Sequence, residues 1–71
     1  MHPILEDFLN RRRALGISQA ELAEQSGVSI SLISKIEAGF HSNPTLDIME
    51  KLGTALTKLE NGQNAGEGKA A

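Results

Sequence analysis

Apolar residues recur at helical spacing over residues 3–15 of this chain. Ile4, Phe8 and Leu15 fall within one narrow arc, flanked by Leu5 and Leu9, when successive residues are placed about 100° apart. The stretch begins with a proline, which suits the first position of a helix, and a glycine follows its last residue. The pattern therefore predicts an amphipathic helix whose apolar arc faces the protein core.

Two shorter helical patterns follow, and a single glycine separates them. The first opens with "SQAE" (residues 18–21), a capping box in which a serine and a glutamate satisfy each other's free backbone amides. Gly27 supplies the positive φ that a sharp turn needs, and Ser29 caps the next helix. This combination predicts a helix-turn-helix. The residues expected to face inward are Leu22, Ala23, Val28, Ile33 and Ile36.

A fourth helical pattern extends to about residue 60, with Asn43 and Pro44 suited to its cap and first position. Its apolar stripe consists of Ile48, Met49, Leu52, Ala55, Leu56 and Leu59. The remaining "NGQNAGEGKAA" has no periodicity and too few apolar side chains to build a core. We therefore predict one domain over residues 1–60 and a disordered tail over residues 61–71.

Composition narrows the range of functions. A chain of 71 residues without cysteine allows one small domain with no disulfide and no cysteine-held zinc, which suits a reducing cytoplasm. No apolar run approaches the roughly 20 residues of a membrane span. The sequence offers no catalytic pairing of histidine with a carboxylate, and neither histidine has a second metal ligand nearby. We therefore expect a cytoplasmic protein that is not an enzyme and that binds no cofactor, metal or membrane.

One charged residue of the first helix is unusual in its position. Arg12 falls inside the apolar arc, whereas Arg11 and Arg13 diverge to either side of it. A buried arginine requires a partner that compensates its charge. We therefore expect Arg12 to have a structural role.

The segment "GISQAELAEQSGVSISLISKIEAG" resembles the helix-turn-helix of the Xre/Cro family, the class of the lambdoid phage repressors. The following "NPTLDIMEKLGTAL" resembles that family's fourth helix, and the similarity covers roughly residues 4–56. It implies a compact all-α, lambda-repressor-like DNA-binding domain of four to five helices, acting as a homodimer on a palindromic operator. It also implies a salt bridge between Arg12 and Glu37, because the family commonly joins its first helix to the end of its third in this way.

The resemblance also implies roles for the outward-facing residues. The third helix, over about residues 29–38, would lie in the major groove. Lysine there prefers guanine, serine bonds several base edges, and isoleucine packs most naturally on a thymine methyl group. For Ile30 and Arg11, simple surface exposure is an equal alternative. Base contacts are assigned to Ser29, Ile30, Ser31, Ser34 and Lys35, and contacts to the DNA backbone to Gln19, Arg11, Ser42, Asn43 and Thr45.

Two features depart from the family pattern. The loop after the third helix lacks the lysines and arginines that often hold the DNA backbone there, which predicts a shallow dependence of binding on salt. We expect Phe40 to pack under this loop. The family's short fifth helix is reduced to "TKLENG", which would leave Leu52, Leu56 and Leu59 partly bare. The dimer contact is therefore placed on these three leucines.

The function expected from these observations is sequence-specific binding of double-stranded DNA by a transcriptional repressor. An alternative is an antitoxin that binds both a toxin and its own operator, and a neighbouring toxin gene would separate the two. A third interpretation is a protein-interaction module that does not bind DNA. The net charge of −2 favours it mildly, because DNA-binding domains are usually basic.

Overall fold

The computed structural model describes residues 2–41 and 43–70, with side chains described as far as Gly62. This part of the chain is all-α and contains no strand. Its helices are α1 (Pro3–Leu15), α2 (Gln19–Ser26), α3 (Ile30–Glu37) and α4 (Leu46–Ala70). The all-α fold with a helix-turn-helix is confirmed, and the predicted bounds of the first helix are those observed.

The helix ends follow from short-range hydrogen bonds. The hydroxyls of Ser18 and Ser29 each accept the backbone N–H three residues further along, at 3.0 and 3.1 Å. Gly27 has a φ of 75°, which is the left-handed turn expected between α2 and α3. The cap of α1 was not predicted: the Nδ1 atom of His2 accepts the backbone N–H of Ile4 at 3.1 Å. An imidazole thus caps this helix in place of the usual hydroxyl or carboxylate.

The core joins all four helices. Half-buried residues pack around it, and among them are Phe8 and Leu15 of the predicted α1 arc. Ile4 of that arc is 43% exposed, whereas Leu5, predicted to flank the arc, is 2% exposed. The buried side of α1 is therefore centred nearer to Leu5 than the pattern predicted. The buried residues are Leu5, Leu22, Val28, Ile33, Ile36, Leu52, Ala55 and Leu56.

The expectation that three leucines of α4 are partly bare is wrong for two of them. Leu52 is 2% exposed and Leu56 is fully buried, whereas Leu59 is half-buried. Both α1 and α2 pack against α4, so the chain's own helices cover this stripe. Leu52 and Leu56 therefore have no free surface to offer a second subunit.

The start of α4 lies later than the sequence pattern predicted. Thr45, rather than Asn43, is the capping residue, because its Oγ1 atom accepts the backbone N–H of Ile48 at 3.2 Å. Pro44 is buried in the preceding loop instead of opening the helix. The first residue of α4, Leu46, is 69% exposed.

At its other end α4 continues past residue 60, where the pattern predicted the helix to stop. Arg11 donates to both carboxylate oxygens of Glu60, at 2.7 and 2.9 Å, and to Thr57 at 3.2 Å. These bonds fasten this part of α4 to α1, and no proline follows to interrupt the helix. The division into a domain over 1–60 and a tail over 61–71 stays a prediction, since side chains beyond Gly62 lie outside the described residues.

The Arg11–Glu60 ion pair also changes how Glu60 titrates. The hydrogen bonds from the guanidinium hold the pKa of Glu60 below its usual value. Because the folded pKa is depressed, the pair's contribution is present at neutral pH and is lost as the pH falls through that lowered pKa. The contribution is small, because the Glu60 side chain is 36% exposed.

Gly53 lies in the middle of α4, where glycine weakens a helix. A methyl group added there would lie 3.6 Å from the Cζ atom of Phe8, which is an ordinary contact distance. We expect Gly53→Ala to raise the free energy of unfolding by about 0.5–1 kcal/mol, through helix propensity and a stiffer unfolded chain. Urea denaturation followed by circular dichroism measures this change.

Gly27→Ala is the matched control for that substitution. Its φ of 75° is strained for any residue with a Cβ atom, so the same chemical change is expected to destabilise here. A loss of stability in Gly53→Ala as large as that in Gly27→Ala would show that the α1–α4 contact has no room for a methyl group.

Candidate nucleic-acid interface

Helix α3 has one buried side and one exposed side. Ile33 and Ile36 are 2% and 3% exposed and fix the helix in the core. Ser31, Ser34 and Lys35 lie on the exposed side, as the helical pattern predicted. Two isoleucines one turn apart on the core side thus determine which residues α3 presents outward.

The exposed side of α3 forms a shallow depression together with the start of α2. Its volume is about 400 Å³, and it is lined by Gln19, Ile30, Ser31, Ser34 and Lys35. The structure thus brings four residues assigned to bases beside one residue assigned to the DNA backbone. Ile30 is 46% exposed and is the only apolar residue among the described residues that line the depression.

Ser29 is adjacent to this group in the sequence, and its side chain also caps a helix. Its hydroxyl oxygen accepts the backbone N–H of Leu32 and so caps α3. The hydroxyl hydrogen is not used in that bond, so an exposed Ser29 can cap the helix and still donate to an acceptor.

Arg12 and Glu37 form the ion pair that the family resemblance implied. The Nε and Nη2 atoms of Arg12 donate to the two carboxylate oxygens of Glu37, at 2.7 and 2.9 Å, and Nη1 donates to the carbonyl of Ile17 at 2.8 Å. The two side chains are 13% and 11% exposed. The hydrogen bonds from the guanidinium to Glu37 raise the pKa of Arg12 above its usual value, so Arg12 stays charged.

Gln19 belongs to the same network, which the sequence did not reveal. Its Nε2 atom donates to Oε1 of Glu37 at 2.8 Å, the same oxygen that receives Nη2 of Arg12. The carboxylate therefore joins residues from α1, α2 and α3. No sequence motif marks this bond, because 18 residues separate the two side chains.

The other residues assigned to the DNA backbone differ in their exposure and in the bonds that they already make. Asn43 and Thr45 are exposed, and the Thr45 hydroxyl caps α4. The guanidinium of Arg11 is already bound to Glu60 and also lies 3.6 Å from Asp7. Ser42 lies outside the described residues. The backbone contacts of these four residues stay predictions.

Phe40 differs from its prediction. It was expected to pack under the loop after α3, but it is 85% exposed. The backbone N–H groups of Phe40 and His41 both donate to the carbonyl of Lys35, at 2.9 and 3.2 Å. These bonds turn the chain away from the helix axis and leave the aromatic ring outside the core.

A family model described as a helix-turn-helix matches residues 9–56, which is more than half of the chain. The chain belongs to this helix-turn-helix family. The matched range contains the Arg12–Glu37 ion pair, the turn at Gly27 and the whole of α3.

Curated relatives of this helix-turn-helix protein are named as transcriptional regulators. It is 44% identical over 45 residues to the HTH-type transcriptional regulator SlrR of Bacillus subtilis, covering 63% of this chain and 30% of that protein. The corresponding identity to SinR of Bacillus subtilis is 40%, covering 63% and 40%. An uncharacterized HTH-type transcriptional regulator of Haemophilus influenzae is 38% identical, covering 78% and 55%.

The match spans between 30% and 55% of the length of these relatives. No solved structure gave a significant match. Among the described residues, no helix is long and apolar enough to cross a membrane.

Proposed function

We propose that this helix-turn-helix protein is a sequence-specific DNA-binding regulator of transcription that inserts α3 into the major groove. The observation that supports this most directly is the exposed side of α3. Hydroxyls, an ammonium group and one aliphatic side chain lie together on a helix whose other side is buried in the core. An α-helix fits the major groove of B-DNA, and these groups match the kinds of atoms that base edges present there.

Each exposed residue of α3 has a chemical counterpart in the groove. Lys35 can donate to the O6 and N7 atoms of guanine, and Ser31 and Ser34 can bond to either donors or acceptors. Ile30 has no polar atom beyond its backbone, so a thymine methyl group is the partner it fits. Gln19 and Thr45 would donate to phosphates on either side of the helix.

The proposed mechanism is repression by a homodimer that covers a promoter. Two copies of α3 would then read half-sites about 34 Å apart on a palindromic operator. Since Leu52 and Leu56 are buried in the chain's own core, the dimer contact lies elsewhere, and Leu59 is the only one of the three predicted leucines with exposed area. Such a protein would work in the cytoplasm, where the DNA is.

The small number of free positive charges makes a second subunit important for the affinity for DNA. The chain has a net charge of −2, and the Arg11 guanidinium is already paired with an acid. Few free cations would meet phosphates, so one subunit would bind weakly and with a shallow dependence on salt. Two linked subunits raise the affinity without additional cationic contacts.

Selection of binding sites from random DNA, at two salt concentrations, tests this proposal. Recovery of a palindrome with half-sites about one turn apart supports the dimeric operator binder. Binding that is blind to sequence, or no binding, contradicts it. The antitoxin alternative shares the operator and adds a toxin, so a failed selection would direct the search to a protein partner.

The thymine contact of Ile30 can be tested on the selected operator. Replacing the contacted thymine by uracil removes only the methyl group, and we expect the affinity to fall by about fourfold per half-site. Competition binding with the two duplexes measures this change. The Ile30→Ser variant is expected to bind both duplexes equally, whereas Ser31→Ala should keep the preference for thymine. Equal binding of both duplexes by the unaltered protein at every thymine would rule out a methyl contact.

A further inference from the structure

We propose that Glu37 is a positioning residue for DNA binding, in addition to being half of an ion pair. It holds the side-chain amide of Gln19 so that an N–H group, and not the carbonyl oxygen, is presented to a DNA phosphate. This inference rests on the proposed function, because it concerns the same interface.

The contact geometry supports this role. The Glu37 carboxylate receives three N–H groups at 2.7–2.9 Å, two from Arg12 and one from Gln19. The Glu37 side chain is only 11% exposed, so water competes little for these bonds. Gln19 is half-buried and lines the same depression as Ile30 and Lys35.

The chemistry of the two groups decides the direction of the amide. An ionised carboxylate only accepts hydrogen bonds, so the amide of Gln19 must turn its nitrogen towards Glu37. One N–H of that nitrogen is used, and the second remains available to a phosphate oxygen, which also only accepts. The flipped amide would place its carbonyl oxygen against the carboxylate, and two acceptors repel each other. Glu37 therefore fixes the rotamer in which the amide nitrogen, with its second N–H, lies beside the carboxylate.

The hydrogen bond between Glu37 and Gln19 also connects the end of α3 to the start of α2. Glu37 is the last residue of α3, two positions after Lys35, whereas Gln19 is the first residue of α2. The bond between them ties the phosphate contact to the helix that reads the bases. A phosphate bound at Gln19 would thus fix how far α3 enters the groove.

The experiment compares the effect of single phosphates on binding. Each phosphate of the selected operator is replaced in turn by an uncharged methylphosphonate, and the affinity is measured by competition. For the unaltered protein we expect the replacement to weaken binding by about tenfold at the phosphate that Gln19 contacts in each half-site, the effect of losing a hydrogen bond to a charged group. Gln19→Ala identifies it, because this variant should no longer respond to the replacement there.

The decisive variant is Arg12→Met with Glu37→Met. It removes the carboxylate together with its counter-charge, so that neither charge is left without its partner and the fold is retained. We expect it to lose the response at the Gln19 phosphate while it keeps the base preferences of Ile30 and Lys35. Because a neutral pair is removed, the slope of log affinity against log salt should not change. Circular dichroism checks that the variant is folded.

Glu60→Gln is the matched control, since it disrupts the other ion pair that joins two helices among the described side chains but does not involve α2. It should keep the full response at the Gln19 phosphate. If the folded double variant also keeps that response, Glu37 does not position Gln19, and the proposed function stands without it. If the unaltered protein selects no operator, both proposals are wrong.

Discussion

Replacing Arg12 by methionine is expected to lower the free energy of unfolding by about 3 kcal/mol, because it leaves the largely shielded Glu37 carboxylate without its counter-charge. The pair is largely shielded from solvent, with side chains 13% and 11% exposed, so water replaces the lost partner poorly. A domain of this size is stabilised by only about 3–5 kcal/mol, so much of the population would unfold. Urea denaturation followed by circular dichroism measures the loss.

Two further variants separate the cost of leaving the Glu37 charge unpaired from the cost of losing the packing of the Arg12 side chain. The Arg12→Met, Glu37→Met double variant should recover most of the stability, because it removes both charges and fills their space with apolar atoms. Glu60→Gln should cost much less than Arg12→Met, since Glu60 is 36% exposed. If the double variant were less stable than Arg12→Met alone, the ion pair would not be the source of the effect.

Replacing Lys35 by methionine is expected to weaken binding to the selected operator by roughly 10- to 100-fold, the value of one good base contact. Methionine keeps the length of the aliphatic chain and removes the ammonium group. The loss should be confined to operators with guanine at the contacted position. An operator with another base there already lacks the hydrogen bond to Lys35, so the variant should bind it as well as the unaltered protein does. Competition binding against operators altered at that base pair measures the effect.

Lys58→Met is the control for the change in net charge. Lys58 is exposed on α4 and does not line the depression at α3. Its loss should weaken binding to all sequences slightly and equally. If Lys35→Met and Lys58→Met behaved alike, Lys35 would contribute general attraction to DNA and not base recognition.

Local interactions made most of the fold predictable from the sequence. Ser18, Gly27 and Ser29 act within one or two turns of the chain, so their types and spacing were enough to place α2, α3 and the turn between them. The choice between Asn43 and Thr45 as the cap of α4 was missed. Both residues can cap a helix, and the burial of Pro44, which depends on the rest of the fold, decides between them.

Burial was predicted less well, because it depends on several helices at once. The sequence placed Leu52 and Leu56 on the apolar stripe of α4 but could not show that α1 and α2 cover that stripe fully. It placed Phe40 under a loop because aromatic side chains are usually covered. The chain after α3 instead forms two hydrogen bonds to the carbonyl of Lys35, and the ring of Phe40 is exposed.

The sequence by itself determined the helix-turn-helix, the outward face of α3 and the need of Arg12 for an acidic partner. These follow from periodicity, from capping and from the cost of burying a charge, which all act at short range or on one residue. Only the tertiary structure decided that Gln19 shares the carboxylate of Glu37. That bond joins residues 18 positions apart, and it forms because the packing of α1, α2 and α3 brings three polar side chains to one point.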